Sequence, residues 1–365
     1  MILNRYIFKE ILYTLLGIMA ILILIFVSQR FVDYLADASV GDLSSALVLK
    51  LLSLKTINSL MIILPLSLFL AVLLSFGRLY KDHEMIVMAA CGVSVRTVFK
   101  IVFRFSIVIA FIVAAISLLV APWAEEQAYR IQDQQKNSSE LSGIAAGRFT
   151  ESSASDGVIY VEDLRNKGEE MINVFMQSEK GDSQSVLSSA RAYESVDEDN
   201  GGRFIVMVDG YRYEGTPGER DFKMIKFKEH GIRITENTSP PTFRKLRASP
   251  TINLVKAGGV EELTELHWRI SMPLSAVLLA LLAVPLSRTL PRQGRYGKLF
   301  TAILVYVIYS NLMGVAQTWM ERGMVPVSVG MWWVHLCVLA GILILLSRQY
   351  GAKWVTNALL GRAQG

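Results

Sequence analysis

GRLYKDHEMIVMAACGVS, residues 77–94, lies between two long apolar runs, and its reading decides the fold. It opens with Arg78 and Lys81, sets Asp82, His83 and Glu84 side by side, runs apolar from Met85 to Cys91 and stops at Gly92. Crossing a hydrocarbon core of about 30 Å takes ~20 helical residues, so this piece is too short to span a bilayer. It is also too apolar for a solvated loop. A short helix accounts for the pattern. Asp82 is placed to cap it, and Glu84 falls in the first turn, where the helix dipole favours an anion. Met85, Met88 and Ala89 share one face. Gly92 suits a left-handed stop, and Ser94 the start of the next helix. Such a helix either lies on lipid or inserts into a groove of a soluble partner, where methionine is an adaptable contact.

The flanking sequence is that of a membrane protein. Of 365 residues, 52% are hydrophobic and 19% charged, and the mean hydropathy is +0.39. That balance departs from a soluble domain. Six apolar runs, roughly residues 11–32, 56–76, 98–121, 270–287, 299–319 and 328–347, each approach the length of a span. The first could instead be a signal peptide, with Ala36-Asp37-Ala38 as its cleavage site. Its apolar run exceeds the ~7–15 residues usual for such peptides, so a retained span is expected.

The cations orient the spans. With the N-terminus inside, the inner segments hold Arg5, Lys9, Arg78, Lys81, Arg96, Lys100, Arg288, Arg292, Arg295, Lys298, Arg348, Lys353 and Arg362. The short outer loops hold only Arg30, Lys50, Lys55 and Arg322. Short loops rich in Lys and Arg stay on the cytoplasmic side, so both termini and the 77–94 segment are expected there.

Roughly residues 125–268 form one insertion between spans three and four, on the outer side. Period-two alternation recurs in it at Val158–Val161, Val174–Met176, Val186–Val196, Arg203–Val208, Tyr211–Tyr213 and Phe222–Phe227. Turn clusters such as Asp197–Gly202 and Thr216-Pro217-Gly218 separate these runs, which predicts a small all-β sandwich or open barrel. A loose basic linker starts at Ser239-Pro240-Pro241, and Glu261–His267 is expected to be a short helix leading into span four.

No catalytic or cofactor motif is legible. Gly294-Arg295-Tyr296-Gly297-Lys298-Leu299 lacks the spacing and the Ser/Thr of a phosphate loop. His83, His230, His267 and His335 are scattered, and Cys91 and Cys337 form neither a disulfide pair nor a metal cluster. Glu125-Glu126 reads as a solvated helix end, and Lys223, Lys226 and Lys228 as a solvated face rather than a nucleic-acid surface. Few ionisable residues lie deep in the spans, which argues against an ion-coupled pump.

Residues along nearly the whole chain carry a family resemblance. They are Ile63–Leu70 leading into Gly77-x-Leu79-Tyr80, Glu84-Met85-x-Val87-Met88-x-Ala90-Cys91-Gly92, Tyr213–Thr216 with Arg220-Asp221-Phe222, Trp268-Arg269-Ile270, Val284–Ser287 and Pro291–Arg295. In this order, with six spans and a β insertion, the chain resembles the LptF/LptG permeases of lipopolysaccharide export, and Cys91-Gly92 favours the LptF branch. The resemblance implies an α-helical membrane protein with six transmembrane helices and a periplasmic all-β, jellyroll-like domain. Residues 1–124 would hold spans one to three with a cytoplasmic coupling helix at about 82–91, residues 125–268 the β domain and linker, and residues 269–365 spans four to six.

The implied function is that of a non-catalytic permease subunit of an ABC transporter. Paired with an LptG-type permease, it would extract lipopolysaccharide from the inner membrane and pass it to an LptC and LptA-type periplasmic bridge. It would bind no cofactor, ATP being used by two LptB-type ATPase subunits. Glu84, with Asp82, Met85 and Met88, would form the ATPase-coupling site. Arg30 and Arg322, at the outer ends of spans one and five, would meet lipid phosphates, although Asp33 stands at the next polar position of span one, where a second cation is wanted. An ion-driven lipid transporter and a membrane-anchored periplasmic scaffold are the alternatives. A cysteine placed at Ser153, in a chain otherwise free of cysteine, is expected to react with an impermeant thiol reagent in spheroplasts, and one at Ser94 to be protected. The reverse pattern overturns the topology.

Overall fold

In hydrocarbon no water satisfies backbone groups, so each apolar run must close its hydrogen bonds within a helix. The computed structural model describes residues 2–40, 45–142, 146–152, 157–165, 170–180, 183–196, 203–216, 222–234, 246–288 and 295–359. Ser153, the Asp197–Gly202 and Pro217–Gly218 turns, Arg220-Asp221, the linker from Ser239 and Pro291–Gly294 lie outside them.

Among the described residues six helices are long and apolar enough to cross a membrane. In chain order the helices are α1 (Ile2–Val40), α2 (Ser45–Lys81), the short α3 (Glu84–Ala90), α4 (Val95–Ala115), a π segment (Ile116–Val120), α5 (Ala121–Ser142), α6 (Thr251–Ala257), α7 (Val260–Leu286), α8 (Arg295–Glu321), α9 (Trp332–Tyr350) and α10 (Ala352–Leu359). Several outrun their apolar runs, because nothing at the membrane edge breaks them. α1 has 39 residues and α2 has 37. The expected short helix at Glu261–His267 is not separate, since those residues are the first turns of α7. At the other extreme α9 starts late, after a turn in which Gly330 has φ 46° and a Cβ would strike the His267 ring.

The described chain divides into two units. One comprises Met1–Asp33, Leu49–Ala128 and Arg244–Gly365, and the other Tyr34–Val48 and Tyr129–Phe243. The helical unit is centred on α7, α4 and the second half of α2, where Leu68, Phe69, Phe76, Phe105, Leu279 and Ala283 are almost fully buried. The second unit carries six strands, β1 (Phe149–Ser152), β2 (Gly157–Arg165), β3 (Glu170–Lys180), β4 (Ser183–Val196), β5 (Arg203–Gly215) and β6 (Phe222–Ile234). They pair antiparallel in sequence order as one up-and-down sheet. The β architecture is as expected. Among the described residues its strands follow one another in sequence order.

One row explains why the alternation looked interrupted. The register brackets Glu162, Asn173, Ala190, Asp209 and Lys228 into a line across β2 to β6. Asn173 and Asp209 there have φ of 48° and 51°, a left-handed conformation that Asn and Asp tolerate best after glycine. On one side of the row the inward residues are Ile159, Val161, Val174, Met176, Leu187 and Ser189; beyond it they are Leu164, Met171, Ala192, Met207 and Ile205. The inward set shifts by one residue on each of these strands, in register, so both halves of the sheet feed one apolar cluster. The runs Arg203–Val208 and Tyr211–Tyr213 are therefore one strand. Beside the row Gly210 leaves room for the Phe227 ring, which a Cβ would meet at 2.5 Å.

Valine at both Asn173 and Asp209 should cost about 1–2 kcal/mol per site, since a β-branched residue is a steric outlier at positive φ. Glycine at both should be tolerated. Limited proteolysis of the detergent-solubilised chain checks this: cleavage between residues 157 and 234 should speed up for the valine pair and not for the glycine pair.

Candidate functional site

The segment that opens the sequence reading is a helix held at both ends by backbone geometry. α2 runs on to Lys81, and the Asp82 N–H still donates to the Arg78 carbonyl at 2.9 Å. Asp82 therefore finishes α2 and does not cap α3. The cap position is His83, at φ 61° and with no side-chain cap bond; its carbonyl accepts from the N–H groups of Ile86 and Val87. At the other end the Val93 N–H donates to Met88 and the Gly92 N–H to Ala89, each at 3.0 Å, with Gly92 at φ 84°. This pair of bonds is a Schellman stop. Ser94 then accepts from the Thr97 N–H and starts α4.

The apolar side chains of α3 divide by face. Met85 and Met88, three residues apart, pack against the helical core, together with Val93. The face that the two methionines occupy seats α3 on its own chain and leaves both of them partly exposed. Ile86 and Val87 are 55% and 61% exposed, and Asp82, His83, Ala89, Ala90 and Cys91 are exposed with them.

Glu84 is half-buried, and its Oε2 accepts a 2.7 Å hydrogen bond from the Tyr6 hydroxyl on α1. The Arg78 guanidinium donates to the same hydroxyl at 3.3 Å and pairs with Glu10 at 2.9 Å. Sequence reading missed Tyr6 and Glu10, because the contact joins positions 78 residues apart and has no local periodicity.

At the opposite ends of these helices the polar groups are buried. The Lys55 ammonium pairs with Glu125 at 2.6 Å, and Asn58 donates to the other Glu125 oxygen. The Glu125 side chain is only 13% exposed, so it is not a solvated helix end. Arg269 on α7 is 1% exposed. Its Nε donates to Glu265 at 3.0 Å, one terminal nitrogen to Thr251, and the other to the carbonyls of Leu246, Arg247 and Ser249. Glu265 and Arg269, spaced i, i+4 inside an apolar helix, are a signal that could have been read.

The two expected lipid contacts sit on different helices. Arg30 on α1 is half exposed, lies 3.5 Å from Asp33 and packs over the Phe26 ring. Arg322, just beyond α8, closes a groove of about 490 Å³ lined by Ser310, Asn311, Gly314, Val315, Thr318 and Trp319.

Six apolar helices, a β insertion and a short apolar helix between spans two and three define a multi-pass membrane protein. The family follows from comparison. The model of the lipopolysaccharide export system permease LptF/LptG matches residues 5–348, and the chain belongs to that family. It is 29% identical to the lipopolysaccharide export system permease protein LptF of Escherichia coli K12 over 347 residues, 94% of each chain, and equally so to that of Shigella flexneri. To the LptG protein of Escherichia coli K12 it is 30% identical over 196 residues, 52% of this chain and 53% of the relative. It is accordingly a multi-pass inner-membrane protein of the lipopolysaccharide export permeases.

Replacing Arg269 by Met leaves Glu265 buried without its ion and should cost about 3–5 kcal/mol. Adding Glu265→Leu should recover part of that loss, the carbonyls of residues 246–249 keeping the remainder. Thermal unfolding of the detergent-solubilised chain should rank wild type above the double variant and the double above Arg269→Met.

Proposed function

We propose that this chain is a permease subunit of an ABC-type exporter that draws lipopolysaccharide from the inner membrane and hands it to a periplasmic bridge. The observation that carries the reading is the two-sided α3. Met85 and Met88 seat it on the membrane helices, and Ile86 and Val87 stay bare, with Glu84 at its first turn. A helix lying idle on lipid needs no carboxylate held in place at its start. A helix that receives force from a soluble ATPase needs both an anchored and an open face.

The burial of the spans supports a partner permease. In the most apolar windows of α1, α8 and α9 only 11%, 22% and 22% of residues are buried, against 61% in α2 and 72% in α7. The bare faces are left for lipid, for a second LptG-type chain and for the cavity between them, with Arg30 and Arg322 as phosphate contacts. The β domain, on the periplasmic side by the charge count, offers the edge of β6, unpaired among the described residues, and Phe222, Met224 and Ile225 of that strand are exposed. An added strand from a bridge protein would complete such an edge.

The test is a charge swap. Glu84→Lys sets a cation against the basic groove expected on the ATPase and opposes the helix dipole, so ATP-driven release of lipopolysaccharide from proteoliposomes should fall by roughly tenfold or more. Exchanging the facing Arg or Lys of the ATPase for Glu should restore it. Normal release by Glu84→Lys alone would remove α3 from the coupling path.

A further inference from the structure

We infer that Tyr6 is a positioning residue, its hydroxyl tying Glu84, and through it the coupling helix, to the first membrane helix. The inference rests on the reading of α3 as the ATPase-docking element and adds where the received force goes.

Tyr6 to Glu84 is the only side-chain hydrogen bond that α3 makes among the described residues. The other attachments of α3 are of two kinds. The backbone joins it to α2 and α4, and the methionine contacts are apolar and non-directional, so they can slide. The bond to Tyr6 is directional and charge-assisted, which makes it short and strong for its kind. The phenol is in turn fixed from behind, because Arg78 donates to it and is itself held by Glu10 on α1. Glu84, Tyr6, Arg78 and Glu10 thus form one line of polar contacts over α3, α1 and α2.

The position of the tie on α1 gives it leverage. Ile7, Ile11 and Leu15 are 0%, 0% and 3% exposed, and Phe8 meets Phe105 edge to face at 4.7 Å. Ser75 of α2 binds Thr14 at 3.1 Å. Beyond Leu15 the helix is less covered: Ile18 and Met19 still pack against the core, whereas Ile21, Leu24 and Val32 are at least 60% exposed. The first turns of α1 are thus its seat on this chain, and Tyr6 lies beside that seat. A displacement of Glu84 is applied next to this seat, and the apolar remainder of the helix has fewer contacts to resist it. A carboxylate has two oxygens; Tyr6 occupies Oε2, so Oε1 is left for a cation of the docking partner.

Tyr6→Phe deletes the hydroxyl and keeps the ring, on a side chain that is already 38% exposed. The assembled exporter in proteoliposomes is read for ATP hydrolysed and lipopolysaccharide released. Tyr6→Phe is expected to lower the lipid released per ATP roughly five- to tenfold, the worth of one charge-assisted hydrogen bond, with the ATPase still captured by the complex. Tyr6→Lys, whose ammonium reaches as far as the phenol oxygen, should regain most of the ratio. In the double variant Tyr6→Phe/Glu84→Ala, release should equal that of Glu84→Ala. An unchanged ratio in Tyr6→Phe, or losses that multiply in the double variant, would overturn the inference alone. A wild-type complex that captures no ATPase or releases no lipid would overturn the exporter reading and this inference with it.

Discussion

A buried guanidinium sets what the helical unit can be. Against membrane spans a non-helical backbone is tolerated only where its carbonyls find protein donors. Residues 246–250 re-enter the unit as a short 3-10 turn and a bend, and Arg269 supplies those donors, binding three of their carbonyls. The same side chain fills its remaining directions with Thr251 and Glu265, so the ion is both paired and hydrogen-bonded. That is the condition under which a buried charge is affordable. Thr251 passes the arrangement on, donating to the Leu118 carbonyl inside the π segment of the third span, and Ser117 in that segment donates to the Arg269 carbonyl. A π turn leaves backbone groups out of the α-helical pattern, and here two of its residues are used to fasten the connector. The third span, the fourth span and the returning chain are therefore one hydrogen-bonded joint.

The opposite end is built from different physics. Glu84, Tyr6, Arg78 and Glu10 are exposed or half-buried, and bonds of this sort exchange readily with water. A site that must respond to a partner is drawn from the less stable parts of a fold. The joint at Arg269 is rigid, and the contacts around α3 are adjustable. Under the proposed function that division suits a permease in which motion enters at one end and is resisted at the other.

The spans were legible because the demand for internal hydrogen bonding leaves one solution for a long apolar run. Their ends were not, since helix propensity carries on past the lipid boundary, as in α1 and at Glu261–His267. The β domain was legible as alternation, and β5 was split in two because Asp209 inverts the inward set in mid-strand. The inversion is visible only once five strands are aligned. For α3, Gly92 and Ser94 could be read from local stereochemistry, whereas the choice of His83 over Asp82 as cap depended on how far α2 extends. Whether Glu125 has partners, and which group Glu84 meets, depend on neighbours 67 or more residues away. No periodicity encodes them.

The same reasoning bears on the outer cations. Arg30 already has a partner, yet an exposed i, i+3 pair such as Arg30–Asp33 contributes at most about 1 kcal/mol. A lipid phosphate offers the planar guanidinium a bidentate acceptor of up to two negative charges, which binds better than a carboxylate held at 3.5 Å. On the proposed reading, Asp33 would hold Arg30 until a phosphate takes its place. Arg322 needs no such release. It stands at the mouth of a groove whose serine, asparagine and threonine side chains donate to carbonyls of their own helix, so the charge of Arg322 would be the main attraction for a headgroup there. On the proposed reading the two arginines therefore differ in kind, one exchanging partners and one waiting for its first.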